Sequence, residues 1–209
     1  MVYLANPNNP TGTYIKKDEY ENFIKHVPDH VLIVADEAYF EYARDVDDYP
    51  NALDYRRDNV IVTRTFSKAY GLAGFRIGYA FAHPELIEQL MKSKLTFEPT
   101  TLAQAAAVAA IKDEAFLQKS VKLVRQERKK LCLFFDDHSV EYVPSISNSV
   151  MMVCKTEEEA SNLTRKMLEK GVILRQLTAF GLPHCLRITI GKEEEMNHFK
   201  DSLKLVQFN

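Results

Sequence analysis

Three short apolar runs, each ending in polar or charged residues, restrict this chain to an α/β sheet with parallel strands. Val2 to Ala5 runs into NPNNPTG, His30 to Ala35 (HVLIVA) into Asp36 and Glu37, and Asn59 to Phe66 into Ser67 and Lys68. Runs this short, rich in β-branched residues and entered from polar turns, read as buried strands. HVLIVA is apolar at successive positions, as a strand covered by helices on both faces must be. Between the first two runs, Tyr20, Phe23, Ile24 and Val27 recur at helical spacing, which predicts an amphipathic helix over 15–27 opened by Asp18 and Glu19. Strand, helix, strand with a right-handed crossover places the carboxyl ends of successive strands side by side, the edge where open α/β sheets take their ligands. That topology delivers Asn9, Asp36 and Lys68 together.

The third strand feeds TRTFSKAYGLAGFRIGYA (63–80), which presents Ser67 and Lys68, turns through Gly71 and Gly74, reaches Arg76 and enters another strand, RIGYAFA. Beyond Pro84 the pattern turns helical: ELIEQLMKSK, then TLAQAAAVAAIKD, then a long segment over 114–137 with Leu117, Val121, Val124, Leu131 and Phe135 near one stripe. Shorter pieces follow, namely VEYVPS, a strand NSVMMVC, a helix over 157–170, strands VILRQ and CLRITIG, and a last helix over 193–206. Thr156 with Glu159 fits a capping box and Gly171 a helix stop. Both EEE triplets therefore read as helix openings, not as metal ligands.

Charge and cysteine usage narrow the partners. A formal net charge of −2 without a long basic block offers nothing to nucleic acid or to an anionic membrane, so a small molecule is the expected partner. Cys132, Cys154 and Cys185 show no C-x-x-C spacing and lie among apolar residues, the pattern of reduced core thiols, which suits the cytoplasm. No run approaches the ~20 apolar residues of a membrane span, and the first residues lack a signal-peptide pattern. The six histidines are scattered and none has metal-ligand spacing.

Taken singly, the residues at the strand ends have ordinary readings: a solvated lysine, a helix N-cap at Asp36, turn chemistry in NPNNPTG. Taken together they are an amine, a carboxylate, an amide, a phenol (Tyr39), two hydroxyls (Thr65, Ser67) and a guanidinium (Arg76). Pyridoxal phosphate requires that set. Its aldehyde takes a lysine amine, its ring nitrogen a carboxylate, its ring oxygen hydrogen-bond donors, and its phosphate hydroxyls and a cation.

The blocks NPNNPTG, ADEAYFEY, TRTFSKAYGLAGFRIGY and CLRITIG, in that order, resemble the fold-type I pyridoxal-phosphate aminotransferases, and in detail the histidinol-phosphate aminotransferases. The resemblance spans nearly the whole chain. It implies a mostly parallel large domain, of which 1–115 would be the carboxy-terminal part, followed by a bridging helix and a small α+β domain over 116–209. It implies that Lys68 carries the cofactor, Asp36 pairs with its ring nitrogen, Asn9 and Tyr39 meet the ring oxygen, and Thr65, Ser67 and Arg76 hold the phosphate. A cis bond at Asn9–Pro10 is implied as well. Arg187 in CLRITIG matches the arginine that receives the substrate's anionic end, Arg175 in VILRQ a second anion-binding arginine, and Asn148 an asparagine near the substrate. The bland readings are a cross-strand surface pair for Arg187 and an ordinary surface residue for Arg175.

The implied reaction is ping-pong transamination in a homodimer, from glutamate to imidazole acetol phosphate, with Lys68 moving the proton at the donor's Cα. An aromatic amino-acid aminotransferase is the alternative within the class, and a threonine-phosphate decarboxylase a more distant one. The family's chain is longer at the amino end, where it carries a helix start for the cofactor phosphate and an aromatic residue for the ring. A catalytically silent interaction module is therefore the alternative from another class.

Overall fold

The computed structural model describes residues 1–55 and 57–207, and these divide into two compact units. The first holds residues 1–7 and 14–121; the second holds 8–13 and 122 onward.

In the first unit, β1 (Val2–Ala5), β2 (Ile33–Asp36), β3 (Val60–Thr65) and β4 (Gly78–Phe81) form one sheet in chain order. The pairs β1–β2 and β2–β3 are parallel, and β4 returns antiparallel to β3. Helix α1 (Lys17–His26) provides the crossover, and its Tyr20 and Ile24 pack with Ile33, Ala35, Val60 and Val62 in one core. The helix starts two residues later than its apolar spacing predicts, because the Ile15 N–H is taken by Asn6 Oδ1 (2.9 Å) and the Lys17 N–H by the Asp48 carbonyl (2.8 Å). Likewise β2 opens at Ile33, since 28–31 close a turn through Val31 N–H to Pro28 O. A single turn, α2 (Phe40–Ala43), follows β2, and α3 (Pro84–Lys92) and α4 (Thr101–Ala110) follow β4.

Helix α5 (Glu114–Asp137) contributes to both units. The first unit runs to Val121, past the expected boundary at 115, because the opening turns of α5 pack there: Glu114 pairs with Arg44 at 3.0 Å and Phe116 lies against Gly71. The second unit is an antiparallel sheet of order β5–β6–β8–β7, with β5 Tyr142–Val143, β6 Ser149–Val153, β7 Arg175–Leu177 and β8 Leu182–Thr189. Helix α6 (Glu157–Glu169) packs on β8 and on α7 (Glu193–Gln207). Thr156 Oγ1 caps α6 by accepting from Glu159 N–H at 3.1 Å, while Glu159 reaches back to the Lys155 N–H at 2.8 Å. Glu195 opens α7 in the same way through Lys192 N–H. Among the described residues, no helix is long and apolar enough to cross a membrane.

The loop 8–13 joins the second unit because the Gly12 carbonyl accepts from Ile146 N–H at 3.0 Å. Gly12 sits at φ +74°, and a Cβ there would overlap the Ser145 side chain. Gly12→Ala is therefore expected to lower stability by about 1–3 kcal/mol from backbone strain alone. Chemical denaturation followed by circular dichroism checks this, the expected sign being a lower midpoint at unchanged slope.

Candidate active site

The pleat of two parallel strands sorts the residues at their carboxyl ends. Ile33 and Ala35 on β2, and Val60 and Val62 on β3, point into the α1 core, so the next residues in that alternation, Glu37 and Arg64, point the same way. Asp36, Thr63 and Thr65 take the other face, with Asp36 in register with Thr63. The Asp-Glu pair at the end of β2 is thus split between the two faces of the sheet, Glu37 turning to the interior.

The interior pair is an ion pair. Arg64 Nε and Nη2 donate to Glu37 Oε2 at 2.9 and 2.8 Å, and Ala52 N–H donates to Glu37 Oε1 at 2.8 Å. The two side chains are 9% and 2% exposed, so both charges are withdrawn from water. Arg64 also donates to Asn51 Oδ1 (2.8 Å) and lies 3.3 Å above the Phe40 ring. Burial pushes the Glu37 carboxyl up, and Ala52 N–H, Arg64 and the Tyr49 hydroxyl pull it back.

On the other face, Asp36 Oδ2 accepts from the Tyr3 hydroxyl at 2.7 Å and Oδ1 accepts from Ala38 N–H at 3.1 Å. The second bond folds the chain beyond β2; the N-cap of α2 is Tyr39, not Asp36. The hydrogen bond to Asp36, with burial, pushes the Tyr3 hydroxyl up to about 12, so it remains a donor. Tyr39 is buried, and Lys68 Nζ stands 5.5 Å from its ring centroid, within cation–π range.

Lys68 itself is exposed on a turn closed by Gly71 N–H to Lys68 O and Leu72 N–H to Phe66 O, both 2.9 Å. Thr65 Oγ1 accepts from Ser67 N–H at 3.1 Å, which orients the entry to that turn. Past β3 the ladder continues with Phe66 N–H to Ile77 O, so Arg76 comes across from Ser67. Arg76 is left-handed (φ +52°), exposed, and donates to Ala73 O at 2.9 Å. Asp36, Tyr39, Thr65, Ser67, Lys68 and Arg76 thus all lie at the carboxyl end of β2 and β3 or on the turns that leave it. Their donor set of amine, carboxylate, phenol, hydroxyls and guanidinium fits pyridoxal phosphate.

The remaining expected residues belong to the second unit. Asn9 follows a cis Asn6–Pro7 bond and precedes a cis Asn9–Pro10 bond, and its Oδ1 accepts from Arg187 Nη1 at 2.7 Å. Arg187 on β8 is the cross-strand partner of Arg175 on β7. Both line a groove of about 680 Å³ with His198 and Phe199. Two guanidiniums directly opposed repel, and an anion between them relieves that repulsion. Asn148 is half-buried before β6, its carbonyl accepting from Ile190 N–H at 2.9 Å. Tyr3 escaped sequence reasoning although parity held the signal: it shares a face with Ala5, the register partner of Asp36.

Residues 1–203 match the family model described as aminotransferase class I and II. Histidinol-phosphate aminotransferase 2 of Carboxydothermus hydrogenoformans is 44% identical over 208 residues, 99% of this chain and 57% of that protein. Histidinol-phosphate aminotransferase 1 of Nitrosococcus oceani is 42% identical over 99% of this chain and 55% of its own length. Among solved structures, histidinol-phosphate aminotransferase from Sinorhizobium meliloti, in complex with pyridoxal-5'-phosphate, superposes with a TM-score of 0.90 at 32% identity, over 98% of this chain and 56% of that one. The chain thus spans little more than half the length of the proteins it matches.

Proposed function

This chain belongs to the aminotransferase class I and II family, and on that premise we propose that it holds pyridoxal phosphate at Lys68 and transfers an amino group between glutamate and the keto form of histidinol phosphate. The observation that carries the reading is the Lys68 amine over Tyr39, on the edge where Asp36 presents its carboxylate. Relatives named for that activity, at 40–44% identity, support the substrate.

When bound, pyridoxal phosphate supplies an electron sink that acidifies the Cα–H of an amino donor. The chain's own residues do the rest. Lys68 would hold the cofactor through its amine and would take and return the proton at the donor's Cα. Asp36, fixed by Tyr3 and the Ala38 N–H, would keep the ring nitrogen protonated. Tyr39 and Asn9 would donate to the ring oxygen, and Thr65, Ser67 and Arg76 would hold the phosphate. Arg187 receives the donor's carboxylate and Arg175 the phosphate of the larger substrate, each suited by its planar fork. Asn148 completes the substrate side. The first unit then acts as the carboxy-terminal part of a large cofactor domain and the second as the small domain. A homodimer in the cytoplasm belongs to the same reading, the compartment being supported by three free cysteines.

A cofactor-dependent absorbance change, and cofactor-dependent formation of 2-oxoglutarate from glutamate, test the reading. In that assay Arg187→Met is expected to raise the KM for glutamate by about 10–100-fold, as loss of one charge-assisted pair implies, with little change in kcat. No absorbance change would instead favour a catalytically silent module. That second reading draws on the exposed apolar side chains Leu102, Val108 and Ile111 in and after α4, and Phe97 before it.

A further inference from the structure

Asp36 is gripped from β1 as well as from its own segment. Its backbone carbonyl accepts from Asn6 N–H at 3.0 Å, and its carboxylate is held at both oxygens, Oδ1 by the Ala38 N–H at 3.1 Å and Oδ2 by the Tyr3 hydroxyl at 2.7 Å. Two of these three donors belong to β1 or to the residue that follows it. β1 runs parallel to β2 with Ala5 opposite Asp36, and Tyr3 shares the face of Ala5, so its long side chain reaches forward along the strand to the carboxylate.

A phenol beside a carboxylate at a sheet edge is ordinarily a surface hydrogen bond. Here Tyr3 is 62% exposed, so burial of its ring does little to place it, and the hydroxyl contact is what does. The terminal torsion of an aspartate is broad, so a carboxylate bonded at one oxygen alone still swings about it. The Ala38 N–H engages Oδ1 and leaves that swing. Tyr3 engages the other oxygen and removes it. A carboxylate offers about four acceptor positions, so these two bonds leave room for a further donor from a set direction.

We propose that Tyr3 is a positioning residue for the cofactor site: its hydroxyl fixes the plane of the Asp36 carboxylate, so that Asp36 meets the ring nitrogen in one orientation. This rests on the proposed function for what the carboxylate does, and on the Tyr3 and Ala38 bonds alone for how it is held. Holding the plane matters because a productive site tolerates only about 10–20° of misalignment. Tyr3 acts through Asp36 and is not itself a catalytic residue.

Amide hydrogen exchange at Ala38 in the full chain, without cofactor, reads the hold directly, because that amide is bonded to the carboxylate in question. Tyr3→Phe removes one oxygen from an exposed side chain and should fold as the unsubstituted chain does. In it, Ala38 protection is expected to fall about tenfold, toward the floor set by Asp36→Ala. Ile33 and Glu37, whose amides donate to Asn59 O and Thr63 O at 2.9 Å, should keep theirs. Unchanged protection at Ala38 would overturn the inference. So would a parallel fall at Ile33 and Glu37, which would make Tyr3 a contributor to sheet stability only. With pyridoxal phosphate and borohydride, the cofactor concentration that half-saturates Lys68 should rise about threefold or more in Tyr3→Phe, the label staying on Lys68. Equal half-saturation in the two proteins would overturn the role in the site. An unsubstituted chain that takes no label at Lys68 would refute the proposed function instead, and the Ala38 comparison would still decide whether Tyr3 holds Asp36.

Discussion

Lys68→Ala is expected to fold as the unsubstituted chain does and to lose site-specific covalent labelling by pyridoxal phosphate and borohydride. The side chain is exposed and its ring contact with Tyr39 is worth about 0.5–1 kcal/mol, so a stability loss of about that size is expected from the contact. The chemistry depends on it entirely, because no other amine stands over Tyr39 among the described residues. Peptide mapping across a cofactor titration separates site from surface. Label on Lys68 should saturate at low cofactor concentration, while label on other lysines should rise in proportion to cofactor added. Arg76→Gln should leave the label in place but shift half-saturation upward by about tenfold or more, since a hydrogen bond to a charged group contributes about 1.5–3 kcal/mol. Label spread evenly over the lysines, or undiminished in Lys68→Ala, would remove Lys68 from the cofactor site.

The order of strands and the residues at their ends were legible because apolar run length and turn chemistry are local signals. HVLIVA, with Asp36 after it, needed no partner to be read as a strand that delivers a carboxylate. The α6 cap was legible for the same reason, since Thr156 and Glu159 lie within one turn. What escaped was pairing at a distance. Arg64 and Glu37 are 27 residues apart, and neither is unusual by itself. Counting by twos from Val60 and Val62, and from Ile33 and Ala35, nonetheless puts a guanidinium and a carboxylate on one buried face, where each requires the other. The membership of Asn9 in the second unit was not legible, because it depends on Gly12 pairing with Ile146, far along the chain.

Arg64→Met should cost about 3–5 kcal/mol, because it leaves the Glu37 carboxylate buried without its cation. A domain's whole stability is about 5–15 kcal/mol, so the first unit would lose much of its margin. The loss should depend on pH in a definite direction. Burial already holds the Glu37 carboxyl above its ordinary value, and removing Arg64 takes away a group that pulls it back, so it rises further. A folded-state carboxyl raised above the unfolded value costs stability increasingly as pH climbs from the unfolded pKa through the folded one. The deficit of Arg64→Met should therefore be smaller near pH 5 than near pH 8. Since the chain has no tryptophan, circular dichroism in a denaturant series is the practical probe. The double variant Glu37→Gln/Arg64→Met removes both charges and keeps an acceptor for the Ala52 N–H, so it should recover much of the loss. A single-variant cost below about 1 kcal/mol would resemble an exposed pair and contradict the burial of both partners. A double variant no better than the single would instead show that Arg64 contributes through its place over Phe40 and its bond to Asn51, not through Glu37.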